Sequence, residues 1–344
     1  MFVIDLRAPS SANLLRVYTE YNRNLTQRQM KTMAIKTQLI QAPLAGYSCA
    51  PFRILAHQWG QPDFCCTEMI SVKTLLFNKK PQTRFTQKDP REGKLCYQLS
   101  STVPNELSEA VNRVEQFGAD AIDLNCGCPM QKIRSKGAGS KLLDDQKKLF
   151  DLITAMRQAT TLPVSIKIRI DPHNHQYNQQ IAKTAEDAGA DFIIVHGRHW
   201  KERYDTPCRL DVIANICDAV SIPVIGNGDV HDTQSYQHMI NTTGCHGVMI
   251  ARASVGKPWI FAQIRAELAG KTFAPPTTKQ IGEMFVQHVK YLMEIEPEKV
   301  AVLQSRKLGK YYAKGVLGTD AFQQQLNQCE KLDELEAIVT DYFN

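Results

Sequence analysis

The sequence predicts an α/β chain: a (β/α)8, or TIM, barrel followed by a small all-α helical bundle at the C-terminus. Three observations predict it. Eight short apolar runs alternate with amphipathic stretches between residues 39 and 251, Gly-Ala-Asp junctions stand where helices hand over to strands, and a purely helical pattern comes after a Pro-Pro break at residues 275–276. Strands alternating with longer helices imply a parallel sheet, and eight such units fit a closed barrel better than a doubly wound sheet.

Residues 1–36 carry no apolar period that continues into the barrel. They read as a poorly ordered N-terminal extension, with Met30 and Met33 as alternative starts. The barrel is expected over 37–270, with strands at 39–43, 64–68, 95–99, 121–125, 164–168, 192–196, 224–227 and 247–251. Helices are expected at 104–117, 146–159, 176–188, 209–219 and 233–241. Gly118 and Gly189 come directly after two of them, where a left-handed residue turns a helix toward the next strand. The stretch 269–280 (AGKTFAPPTTKQ) breaks this rhythm, so residues 271–344 form a second domain, with helices at 281–294, 297–315, 320–328 and 330–343.

Composition narrows the function classes. With 43% apolar and 22% charged residues the chain can bury a core, and no apolar run approaches the length of a membrane span. Ten cysteines form no C-x-x-C pair, which favours reduced thiols in a cytoplasmic protein over disulfides or structural zinc. Cys126 and Cys128 lack the further pair or histidine that would complete a metal site, so no metal is expected. The net charge of +6 is weak evidence for nucleic acid, because residues 1–33 alone contribute +3.

A barrel builds its site at the carboxyl ends of its strands. There the chain places Ala42-Pro43-Leu44-Ala45-Gly46, Glu68, Gln98, Asn125-Cys126-Gly127-Cys128-Pro129, Lys167 and Arg169, His196-Gly197-Arg198, Asn227-Gly228-Asp229 and Ala251-Arg252. Taken singly, Gly46 and Gly228 serve as turn residues as readily as ligands, and a lone histidine is more often packed than functional. Lys167 differs: between Ile166 and Ile168 in a buried strand, its ammonium must reach the open mouth and meet an anion or an electron-rich ring. The last two strand ends suit a phosphate, through backbone N–H groups and Arg252. No dinucleotide or P-loop fingerprint is present, so a mononucleotide-sized cofactor fits better than tightly bound NAD or ATP.

These motifs resemble one family, the flavin-dependent tRNA-dihydrouridine synthases. The resemblance rests on residues 42–46, 123–129 (DLNCGCP), 166–169 (IKIR), 195–198 (VHGR), 227–229 (NGD) and 249–254 (MIARAS), and runs from about residue 38 to the end. The tail is similar to the B type among bacterial members, whereas DLNCGCP is closer to the C type. The resemblance implies reduction of the C5=C6 bond of uridines in tRNA, with bound FMN and NADPH or NADH as transient reductant. It implies that Pro43, Leu44 and Ala45 back the flavin, Gln98 and Lys167 hydrogen-bond its ring, and His196 contacts ring and ribityl chain. Asn227, Gly228, Asp229, Ala251 and Arg252 would bind the phosphate, the alanine standing where the family often has glycine. Cys128 would be the proton donor, with Asn125 and Arg198 at the uracil.

Arg306, Lys310 and Lys314 recur every fourth residue, with Lys307, Tyr311 and Tyr312 interleaved, so a helix would show tRNA a basic strip with a stacking ring; the alternative is a solvated face with tyrosines packed inward. Lys132, Arg134 and Lys136 could extend that surface. A monomer binding neither DNA nor membrane is expected. Two other readings stay open: a flavin barrel reducing a free pyrimidine or enone, and an RNA-binding module without catalysis.

Overall fold

A computed structural model describes residues 39–78 and 83–344; the extension expected over 1–36 lies outside them. The strands are β1 (Leu39–Gln41), β2 (Phe64–Cys66), β3 (Ile70–Ser71), β4 (Leu95–Ser100), β5 (Ala121–Cys126), β6 (Val164–Arg169), β7 (Phe192–His196), β8 (Val224–Asn227) and β9 (Gly247–Ile250). All pair in parallel, and β1 meets both β2 and β9 while β2 meets β4, which closes an eight-stranded barrel. The ninth strand, β3, is a two-residue addition along the end of β4, too short to carry a period in the sequence.

Around the barrel run α1 (Ala50–Gly60), α2 (Val72–Phe77), α3 (Pro104–Gln116), α4 (Gln131–Arg134), α5 (Gln146–Ala159), α6 (His175–Asp187), α7 (Leu210–Cys217), α8 (Thr233–Thr243) and α9 (Ile260–Leu268). Gly118 and Gly189 do adopt φ of +85° and +101°. The aspartates that close these junctions have a further task. Asp120 and Asp191 accept the first N–H of the neighbouring strand, from Leu95 and Val164, at 2.8 Å each, and Asp63 does the same for Leu39. A cation answers each carboxylate: Lys88, Arg157 and Arg265 respectively. Strand N-termini at the floor of the barrel are thus capped as helix N-termini are, leaving no orphaned buried donor at these three strands.

The C-terminal helices are α10 (Thr278–Met293), α11 (Glu298–Tyr312), α12 (Thr319–Gln328) and α13 (Leu332–Phe343). Thr277 and Gln280 form a capping box that starts α10 directly after the Pro-Pro break. Phe285, Tyr312, Phe322 and Phe343 fill a second hydrophobic core, and Cys49, Phe52 and Leu55 of the barrel side belong to it. Helix α11 stops at Tyr312, short of the expected 315, and Tyr312 is buried with its hydroxyl 3.0 Å from His288 Nδ1. Among the described residues no helix is long and apolar enough to cross a membrane.

Candidate active site

Alternation along β5 and β6 puts Asp123 and Asn125 on the same side of the sheet as Ser165, Lys167 and Arg169, and the register pairs Asp123 with Ser165 and Asn125 with Lys167. The result is a buried polar column along these strands. Ser165 Oγ donates to Asp123 at 2.7 Å, Gln98 Nε2 donates to the other Asp123 oxygen at 2.8 Å, and Asn125 Nδ2 donates to Gln98 Oε1 at 2.8 Å. Burial pushes the Asp123 carboxyl up to about 6, against the pull of those donors and of Lys167.

The column ends on the thiol loop. Asn125 Oδ1 accepts the Cys128 N–H at 3.0 Å, and the Cys128 carbonyl accepts from Ser140 N and Oγ at 3.1 and 3.0 Å. Gly139, at φ +61°, lets this approach happen, since a Cβ there would lie 2.7 Å from the Cys128 carbonyl. Cys128 is half-buried, while Cys126 on β5 is fully buried and its thiol pushed far up by desolvation. Only one of the two cysteines can therefore exchange a proton at the mouth.

Lys167 Nζ donates to Asn227 Oδ1 at 2.8 Å, and Asn227 in turn donates to the Met249 carbonyl at 2.7 Å. Burial, then the neighbouring Arg169 charge, lowers Lys167 to about 8, with Asp123 opposing. Arg169 is itself buried and has no carboxylate partner among the described residues; it donates to the His199 carbonyl at 2.9 Å. His196 is held neutral, first by burial and then by the cations Lys167, Arg169, Arg198 and Arg252 around it.

Further round the same rim Gly228 has φ +130° and Asp229 has φ +56°. Asp229 accepts two 2.6 Å bonds from Arg198 Nη2 and one of 2.9 Å from the Cys208 N–H, which hold its carboxyl below the usual range. Arg198 is 1% exposed; it also donates to the carbonyls of Thr206 and Tyr204 and lies 3.3 Å from His196 Nε2. Because a guanidinium can only donate, Nε2 accepts and the neutral ring carries its proton on Nδ1. The amides of Gly228, Asp229 and Arg252 make no hydrogen bond among the described residues. Arg252 is exposed, stacked 4.0 Å over Tyr204.

Comparison with known proteins settles the family. The family model "Dihydrouridine synthase (Dus)" matches residues 40–344. A tRNA-dihydrouridine synthase B of Xanthomonas axonopodis pv. citri is 32% identical over 321 residues, covering 92% of this chain and 96% of the relative. One of Pseudomonas syringae pv. tomato is 32% identical, covering 89% and 91%. A probable tRNA-dihydrouridine synthase of Helicobacter pylori is 30% identical, covering 90% and 93%. The chain belongs to the dihydrouridine synthase family.

For a dihydrouridine synthase the mouth is assembled from distant segments, as the sequence expects: Gln98, Asn125, Lys167, His196 and Asn227 stand together at one rim. Pro43 and Leu44 are half-buried and Ala45 exposed in the turn after β1. Other expected ligands are engaged elsewhere. Arg198 is turned into the protein, Asp229 has its carboxylate on arginine, and Arg306 is half-buried with Nη2 on the Cys329 carbonyl at 2.8 Å. Lys310 and Lys314 are exposed, the latter beyond the end of α11, and Tyr311 stands edge-on to Tyr47 at 5.7 Å, so the expected strip leaves two lysines exposed and no free stacking ring from Tyr312. Asp123, which opens the 123–129 motif without a role assigned to it, and Ser165, which lies outside every motif, join the site through their hydrogen bonds; their polar character inside strand runs is the available signal.

Proposed function

We propose that this dihydrouridine synthase reduces the C5=C6 bond of uridines in tRNA, with FMN as its bound flavin and NADPH or NADH as reductant. What supports the reading most is the convergence, on one barrel rim, of the Asn125-held Cys128 loop, Lys167, and acceptor-free amides beside Arg252.

The residues present fit a flavin mononucleotide. Gly228, where a Cβ would lie 2.7 Å from Cys208 Sγ, and the amides of Gly228, Asp229 and Arg252 suit a phosphate, with the Arg252 guanidinium beside them. Asp229 serves through its backbone, since its carboxylate would repel a phosphate and is already neutralised by Arg198. Asn227 holds Lys167, and Ala251 begins the turn that brings Arg252 to the rim. Lys167, Gln98 and the Nδ1–H of His196 are donors for the flavin's polar edge, and Pro43, Leu44 and Ala45 would back its ring. A flavin held there would supply hydride chemistry, from a nicotinamide to C6 of the uracil.

The chain's own residues do the rest. A uridine flipped out of the RNA stack enters the mouth between the β5 and β6 loops. Cys128 gives its proton to C5 as negative charge develops toward the O4 carbonyl. The buried Arg169 cation, which makes no direct ion pair among the described residues, favours that charge. Asn125 sets the thiol loop's position through the Cys128 N–H and also faces the base. Arg198 acts one step back, locking His196 and the Asp229 turn. Lys310 and Lys314 meet RNA phosphates; Lys132 and Lys136 extend that surface, while Arg134 is stacked 3.4 Å over Trp200. In Cys128→Ala protein supplied with unmodified tRNA and NADPH, flavin reduction should persist while dihydrouridine formation falls ~10²-fold or more. Undiminished dihydrouridine formation would overturn the assignment, and a colourless protein that takes up no FMN would overturn the cofactor.

A further inference from the structure

The helical tail does more than display lysines. One face of α11, formed by Gln304, Lys307 and Tyr311, meets the turn after β1 and its neighbour Arg84. That spacing, three then four residues, is one stripe of a helix, and Lys310 lies on a different, exposed face.

The turn is fastened on every side. Gly46, at φ +80°, has its N–H on the Glu68 carboxylate and its carbonyl on Lys307 Nζ. Within the turn, Leu44 N–H donates to Ser48 Oγ at 2.9 Å, and the Ser48 carbonyl accepts from the buried Arg53 at 2.6 Å. Glu68 is 5% exposed and also accepts from Arg84 at 3.3 Å, and Arg84 donates onward to Gln304 at 2.9 Å and Glu296 at 3.4 Å. The Lys307 ammonium lies 5.1 Å from the Tyr47 ring centre. Two cations and two carboxylates thus join the tail to the two peptide groups that flank Gly46.

We propose that Lys307 is a positioning residue, which holds the Gly46 carbonyl and so fixes the Pro43–Leu44–Ala45 segment in the shape that receives the flavin ring. The inference rests on the reading that this segment backs the flavin. The ammonium's partners are the Gly46 carbonyl and the Tyr47 ring. Its effect passes through the Gly46 carbonyl, while the Gly46 N–H is fixed independently by Glu68 and the Tyr47 N–H by the Leu44 carbonyl, so losing Lys307 frees one side of the turn without unfolding it. A tail expected to serve as an RNA surface is then also part of the flavin site, and a chain truncated before α11 would lack one wall support of that site.

The test compares wild-type protein with Lys307→Met, Lys307→Arg and Lys299→Met, a substitution on the same helix at a lysine paired with Glu330. FMN affinity is read by flavin fluorescence quenching, the visible absorption band by spectroscopy, and global stability by thermal unfolding. Lys307→Met should bind FMN about tenfold more weakly, with a shifted visible band, at an unfolding temperature close to wild type. Lys307→Arg, which keeps a cationic donor, should restore most of the affinity, and Lys299→Met should match wild type. Wild-type affinity and spectrum in Lys307→Met would overturn the inference alone, as would equal weakening in Lys307→Met and Lys307→Arg. Failure of the wild-type protein to bind FMN would instead overturn the flavin reading beneath it.

Discussion

Substituting Gly228 by alanine tests the phosphate end of the mouth most directly. Its φ of +130° lies where L side chains are rare, and a Cβ there would sit 2.7 Å from Cys208 Sγ, 3.2 Å from Cys208 Cβ and 3.3 Å from His196 Cδ2. Backbone strain of this kind costs on the order of 1–3 kcal/mol. The loop can relieve it only by rotating the Gly228–Asp229 peptide, which misaims at least one of the amides assigned to the phosphate. A hydrogen bond to a charged group is worth about 1.5–3 kcal/mol, so FMN should bind roughly 10- to 150-fold more weakly. Flavin titration measures this. Cys208→Ala in the same chain removes the sulfur but leaves φ unchanged, so the double variant should recover part of the loss and no more. Wild-type FMN affinity in Gly228→Ala would refute the placement of the phosphate at this loop; full recovery in the double variant would refute backbone strain as the cause.

Arg198→Met should weaken FMN binding and lower stability together, because it strips a 1%-exposed cation from Asp229 and two loop carbonyls; a loss confined to tRNA binding would contradict its buried position. His288, lowered to about 3 by burial, stays neutral in the fold but takes up a proton below about 6.5 when unfolded, so its share of stability is present above pH 6.5 and is lost as pH falls toward 3. The slope is about 1.4 kcal/mol per pH unit; urea unfolding at several pH values should show His288→Gln removing one proton from it. Lys167, at about 8, should lose its charge in mildly alkaline solution, so NADPH-driven flavin reduction should slow above that pH, and Lys167→Arg should push the decline upward. Affinity for tRNA should fall steeply with salt, and Lys310→Met and Lys314→Met should each reduce the log–log slope by about 1 in filter binding.

Much of the mouth was legible because its chemistry is local. Asn125-Cys126-Gly127-Cys128-Pro129 put both thiols at the end of a strand expected over 121–125; the structure carries that strand one residue further, burying Cys126, and leaves Cys128 half-buried in the loop. Lys167 between two isoleucines had to point at the barrel's interior, because a two-residue period leaves no other side for it. Arg198 is the complementary case. Nothing in His-Gly-Arg says whether the guanidinium turns to the pocket or back to Asp229, and Asp229, 31 residues away, decides it.

The sequence by itself determined the periodic elements, the handover from barrel to bundle and the order of chemical groups around the rim, since strand and helix periods and turn residues are written in neighbouring positions. Only the tertiary structure decided which of those groups face the mouth and which brace it. Tyr312 went into the second core, Arg306 to the Cys329 carbonyl and Lys307 to Gly46, 261 positions away in the chain. A side chain's direction is set by the partner that satisfies it in the desolvated interior, and such partners are supplied by closure of the barrel and docking of the bundle, which no local pattern encodes.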